Sequence, residues 1–247
     1  MQSRNVARVG GVLLLLGVVA CDSTNTGRQG VGVSFSTKAT GALLMAGPNS
    51  ARAAITVTNG ANSLVITKAQ LVLREMEMKL SSTTTCATGT AADSCERVVL
   101  GPTLIDLPVT DVVTTALTTT VPLGTYREIE FDIRRPGTDS ADLVFVAANP
   151  NFNNVSIRVE GTYNGTAFVF TSELDQEVEI EFNPPLVVTD GANNATIKVD
   201  LRAWFTNTDG TLISPATANP GQPNASIVAE KIKMSLKAFE DDDKSGS

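Results

Sequence analysis

Histidine is missing from all 247 residues of the chain. Its absence removes Ser-His-Asp and Cys-His catalysis, together with His-ligated zinc, copper and non-haem iron sites. Any catalytic reading must use carboxylates, a Ser–Lys pair or a hard, oxygen-ligated metal. Aromatic residues are scarce, at 5% with one Trp and two Tyr, a thin supply for a stacking platform. Basic residues are outnumbered, 19 against 26 acidic ones, for a net charge of −7. The first twenty positions hold Arg4 and Arg8 and no acid, so a chain beginning after them is more acidic still. No basic stripe is visible along the sequence. That argues against nucleic acid, whose binding depends on cations that neutralise phosphates, and against electrostatic adsorption to anionic lipid.

What is present favours strands. The chain is 42% apolar and 18% charged, a globular balance long enough to bury a real core. Val, Ile and Thr are abundant, and 19 Gly and 11 Pro recur with many Asn. β-Branched side chains pack well on a pleated surface, while Gly, Pro and Asn supply turns. The expected fold is all-β: a single antiparallel β-sandwich over residues 31 to 239 with an acidic, disordered tail over 240 to 247.

The N-terminus is the most informative stretch. Arg4 and Arg8 precede an apolar run from 9 to 20, which is shorter than the about 20 residues a spanning helix needs. A charged start and an apolar centre are the parts of a secretory signal peptide, residues 1 to 20. The run ends in Val18-Val19-Ala20-Cys21, which resembles the lipobox of bacterial lipoproteins. That resemblance implies cleavage before Cys21, lipid on its thiol and acylation of its new amino group. More than one acyl chain meets the requirement for stable anchoring. Asp22 after the cysteine is similar to an enterobacterial inner-membrane retention signal, but other bacterial groups do not obey that rule, so the expected address is the cell envelope. Residues 21 to 30, polar after the cysteine, read as a flexible tether reaching up to about 30 Å. With Cys21 assigned to lipid, Cys86 and Cys95 remain. In an oxidising compartment these two are expected to pair as a disulfide across a hairpin loop. Metal ligation and redox roles fit less well, for lack of His and of Cys-x-x-Cys spacing.

Period-two alternation marks several strands. Ile129, Phe131 and Ile133 oppose Glu128, Glu130, Asp132 and Arg134; Val178, Ile180 and Phe182 oppose Glu177, Glu179 and Glu181. Residues 196 to 205 alternate likewise. Asn164-Gly165 between two β-rich runs predicts a hairpin with a type I′ turn. Further strands are expected at 31–36, 53–58, 63–68 and 112–118. Residues 69 to 80 fit both periods and are read as a strand. Residues 226 to 239 also fit both, and are read as a short C-terminal helix. The segments "ITKAQLVLREMEMKL", "LGPTLIDLPV" and "VPLGTYREIEFDIR", in this order, resemble bacterial envelope lipoproteins that carry a domain of unknown function. The resemblance spans about residues 31 to 205 and implies a transthyretin-like or carbohydrate-binding-like β-sandwich. It carries no catalytic motif and no site residue.

Three groups of residues could carry chemistry. The acidic rows Glu128, Glu130, Asp132 and Glu177, Glu179, Glu181 could supply paired carboxylates for glycoside hydrolysis. A catalytic acid, however, needs a desolvating pocket, and a regular row opposite an apolar face is also what a solvated strand looks like. Asp241, Asp243 and Ser245 before Gly246 match the first half of a calcium loop, but the chain ends before the expected twelfth-position acid. Trp204, with Asp200 and Arg202, falls opposite Val199, Leu201 and Phe205. There it could stack on a sugar, or pack under a loop or against the second sheet. Asn154, Asn164, Asn194 and Asn224 start Asn-x-Ser/Thr triplets that carry no functional expectation. The expectation is a lipid-anchored, non-catalytic binding or structural module for a glycan or another envelope protein, with calcium as an optional ligand. The alternative is a carboxylate-based, calcium-dependent envelope hydrolase.

Overall fold

The computed structural model describes residues 27–37, 54–81, 97–110, 112–241 and 244. It is a two-sheet β-sandwich. In chain order the strands are β1 (Arg28–Ser36), β2 (Ile55–Asn59), β3 (Asn62–Leu80), β4 (Arg97–Leu107), β5 (Val113–Pro122) and β6 (Gly124–Ile133). Helix α1 (Ser140–Ala148) and a 3-10 turn at Pro150–Phe152 come next, then β7 (Ile157–Tyr163), β8 (Thr166–Ser172), β9 (Gln176–Val188) and β10 (Asn193–Val199). The chain closes with α2 (Leu201–Trp204), α3 (Ala225–Met234) and β11 (Leu236–Glu240). The smaller sheet has the order β11-β10-β1-β5; the larger runs β8-β7-β3-β6-β9, with β2 and β4 also paired to β3. β1 and β10 are parallel, and the remaining pairs are antiparallel.

Strand β3 organises the larger sheet. Its inward residues are Leu64 and Ile66, then Ala69, Leu71 and Leu73, then Met76, Met78 and Leu80. The parity therefore changes twice. Each change coincides with a break in register, at Ile66/Lys68 against β7 and beyond Leu73 against β4 and β6. These are β-bulges: an extra outward residue (Thr67 or Lys68, Arg74 or Glu75) resets the alternation so that each arm keeps its apolar side inward. The second shift, which falls inside residues 69 to 80, is why that segment also fits a helical period in the sequence.

The core between the sheets joins Val31, Val33 and Phe35 of β1 and Ile197 of β10 with Leu71, Met76, Phe131 and Ile180 of the larger sheet. A small second cluster forms on the outer face of that sheet, where Phe145 of α1 and Phe152 cover Val72. Asp139 starts α1 by accepting a 2.9 Å bond from the Asp142 amide, a side-chain N-cap. At the predicted hairpin, Asn164 (φ 51°) and Gly165 (φ 78°) both take positive φ between β7 and β8, as a type I′ turn demands.

Four expectations need correction. The tether stops short of residue 30, because Arg28–Gly30 already pair with Thr120–Pro122. The strand expected over 196–205 ends at Val199: the Asp200 carboxylate accepts from the Arg202 and Ala203 amides and starts α2. The short C-terminal helix expected within 226–239 is present over Ala225–Met234, but it stops there, and Leu236–Glu240 is a strand. The tail is ordered at its start, since Glu240 ends β11 and Asp241 is buried. Its amide donates to the Asn194 carbonyl at 3.0 Å, and its carboxylate accepts from the Thr196 hydroxyl at 2.8 Å.

Gly161 sits opposite Ile66 at the first bulge. A β-carbon there would fall 1.9 Å from the Val65 carbonyl oxygen, an overlap with backbone that no rotamer relieves. Gly161→Ala is expected to lower unfolding free energy by about 3 kcal/mol, read as a shifted urea midpoint. Gly101→Ala, at a position with open space, should leave the midpoint in place.

Candidate functional site

The two acidic rows foreseen in the sequence are neighbours. The β6–β9 register sets Glu128 opposite Glu181, Glu130 opposite Glu179 and Asp132 opposite Glu177. Strand β3 adds Glu77 beside Glu130 and Lys79 beside Glu128. The result is a carboxylate ladder across three strands, opposite the core. Lys79 lies within it, bonded to Glu77 and 3.1 Å from Glu130. Those partners hold its ammonium pKa above the ordinary lysine range, with the Glu77 bond the largest cause. The Glu128 carboxyl is pushed up from its usual range chiefly by a hydrogen bond with Glu130, and secondarily by burial. The neighbouring negative charges of Glu130 and Glu179 add to that shift by disfavouring the charged form. The ladder borders an open depression of about 620 Å³, lined by Glu75, Glu77, Glu130, Asp132 and Glu177 among others. A glycosidase acid is raised mainly by desolvation in a closed pocket; this face is open.

At the end of the ladder the sequence reading missed an ionic node. The β3 bulge aims Arg74 at the start of α1, where its guanidinium bonds Asp142 and Asp139. Both carboxylates hold the Arg74 proton more tightly than usual. Asp139 is lowered, first by the Asp142 amide and then by Arg74. Arg134 donates to Asp175 at 2.8 Å, and Arg135 lies 3.2 Å from Glu173 and 3.3 Å from the Asn154 amide oxygen. These groups surround an open groove of about 610 Å³. One Asp142 oxygen, Oδ2, accepts from Arg74 and from the Gly137 amide at 2.7 Å. The other, Oδ1, is the one buried side-chain oxygen without a hydrogen-bond partner among the described residues. An orphaned carboxylate oxygen is costly to bury. The sequence signals were faint: Asp139 as a helix cap after Pro136-Gly137, and Pro150 after the helix.

The remaining candidates fall elsewhere. Trp204 takes the packed placement: it is fully buried, and its indole N–H donates to the Ser235 hydroxyl at 2.7 Å. It cannot stack on a ligand without unfolding α2. Asp200 is committed to capping, and Arg202 is half-buried on the same turn. Asp241 is committed to Thr196, while Asp243 and Ser245 lie outside the described residues. No group of three His, Cys, Asp or Glu suited to a metal occurs among the described residues. Cys21, Cys86 and Cys95 also lie outside them. Comparison with known proteins found no match among family models, curated sequences or solved structures.

Two outcomes are expected. Glu181→Lys replaces a like-charge pair by an opposite one and should raise stability at pH 7 by about 1 kcal/mol. A raised carboxyl favours the folded state at low pH, and that contribution fades as pH climbs through the raised value. The gain from Glu181→Lys, followed by thermal melts, should therefore shrink toward pH 4. Arg74→Met leaves the buried Asp142 charge without its cation and should cost about 2–3 kcal/mol, read from urea unfolding.

Proposed function

We propose that the chain is a lipid-anchored cell-envelope protein whose β-sandwich is a non-catalytic binding module, with a glycan as the favoured partner class. The observation that carries this reading is the order Arg4–Arg8, apolar run, Cys21, followed within a few residues by a sandwich strand at Arg28. A folded domain that begins so close behind the cysteine leaves a short polar link and little else between lipid and sheet. The oxidising envelope also fits a Cys86–Cys95 staple in the β3–β4 connection.

The groove beside Arg74 supports glycan recognition. Sugar hydroxyls both donate and accept, and the groove offers guanidinium donors, carboxylate acceptors and the Asn154 amide, held by ion pairs. An open, regular carboxylate face favours binding over hydrolysis, because general-acid catalysis needs a carboxyl kept protonated by desolvation.

Two measurements test the reading. Cys21→Ser should move the protein from the membrane fraction to the soluble one; a variant that still sediments with membranes ends the anchoring claim. A glycan array with the protein, run with and without calcium, should give hits that weaken at least tenfold in Arg135→Ala. Release of reducing ends from a hit would favour the hydrolase instead.

A further inference from the structure

We propose that residues 135–155 form a flap that opens as one unit on the outer face of the larger sheet while both sheets stay intact. Its two ends are pinned side by side on β3. At Val72 that strand passes from β7 to β6: Leu71 pairs with Ile157 and Leu73 with Ile133. The Val72 amide donates to the Ser156 carbonyl at 2.8 Å, and the Val72 carbonyl accepts from the Arg134 amide at 3.2 Å. The chain between Arg134 and Ser156 carries α1 and the 3-10 turn and contributes no strand to either sheet. It can therefore lift away without breaking a ladder bond.

What holds the flap down is limited. Its buried aromatic side chains, Phe145 and Phe152, belong to a small cluster with Val72 that is separate from the main core. The two rings meet edge to face at 6.4 Å, so they travel together. Within α1 only Asp142 and Phe145 are buried, while Leu143 and Val144 are 59% and 72% exposed. Where the helix meets Pro102 of β4 there is an open depression of about 550 Å³ instead of close packing. Arg135 adds a bond to Glu173, but exposed pairs hold little. The latch is Arg74, whose guanidinium bonds Asp139 and Asp142 at the start of α1. The closed state also carries a cost. Asp142 Oδ1 is buried with no hydrogen-bond partner among the described residues, and opening returns it to water. A unit with few buried apolar contacts and its own boundary opens at a free energy below that of global unfolding.

The flap bears on the groove beside Arg74. Pro136, Gly137, Asp139 and Asn154 belong to the flap, Arg74, Arg134 and Asp175 belong to the body, and the groove runs along the seam between them. Lifting α1 takes the groove apart, so the closed flap is the binding state, and a ligand that spans the seam favours it. That consequence, and only that, rests on the proposed glycan reading. Opening also uncovers Val72 and its cross-strand partner Leu104.

The test is native-state hydrogen exchange on the full chain in detergent, without ligand, from zero to low urea. The Leu143 and Asn149 amides, bonded to the Asp139 and Phe145 carbonyls within the flap, are expected to exchange at least about tenfold faster than the Val72 and Arg134 amides, at a rate nearly independent of urea. Arg74→Met should speed the α1 amides by at least about tenfold more. Phe145→Ala, which leaves the main core untouched, should act in the same direction. Equal rates and equal urea dependence for α1 and the sheets would overturn the proposal. So would Val72 and Arg134 amides that exchange in step with α1, because the hinge would then be breaking. Insensitivity of the α1 amides to both variants would also overturn it. A glycan array without hits ends the binding reading and leaves the flap, whereas exchange of α1 only through global unfolding ends the flap and leaves the binding reading.

Discussion

A single strand must keep one face apolar over nineteen residues while hydrogen-bonding to four neighbours, and the larger sheet depends on how β3 does so. A straight strand of that length, twisting as strands do, could not keep both ends over one core. The two bulges are the solution. They divide β3 into three arms, hand it from β2 and β7 to β4 and β6, and restore the inward alternation each time. Each inward Leu, Ile or Met contributes roughly 1.5–3 kcal/mol when buried. A slip of one residue would turn an entire arm outward. Register is therefore fixed by the core, and the polar outer face takes what that register leaves.

The carboxylate ladder is such a consequence. Strands β6 and β9 align because Ile129, Phe131 and Ile133 on one meet Val178 and Ile180 on the other across the same inner face. That burial is worth several kcal/mol by area, against repulsions of about 1 kcal/mol for each opposed carboxylate pair. The core wins, and the acids are brought together. Lys79, between Glu77 and Glu130, offsets part of the cost. The second bulge has a different outcome. Its extra outward residue gives Arg74 a direction that no regular strand position would have, and α1 is clasped by its first turn.

Much of this was legible, and the failures have physical causes. Strict alternation revealed β6 and β9, because one face of each meets water. Asn164-Gly165 revealed its hairpin, because few residue pairs accept two positive φ values. β3 was ambiguous because bulges break the period on which the reading relies. The alternation through 196–205 misled because periodicity is blind to a cap: Asp200 stops the strand, and the turn it starts carries Trp204 into the core. Residues 226 to 239 fitted both periods because they are a helix and a strand in succession, joined at Ser235. The acidic rows could be seen singly but not their adjacency, which depends on register.

The position of β1 ties these features to how such a molecule would be held. It lies between β10 and β5 in its sheet, so the chain enters the domain through an interior strand rather than a fraying edge. Its first residues are fastened: the Gly27 carbonyl accepts from the Leu123 amide at 2.8 Å, and Arg28 donates to the Thr120 carbonyl at 2.6 Å. With lipid on Cys21, the free link would be residues 22 to 26, at most about 18 Å when fully extended. A link that short limits how far the sandwich can roll. The end of the smaller sheet that carries Arg28 would face the bilayer, and the end that carries Lys198 would face away.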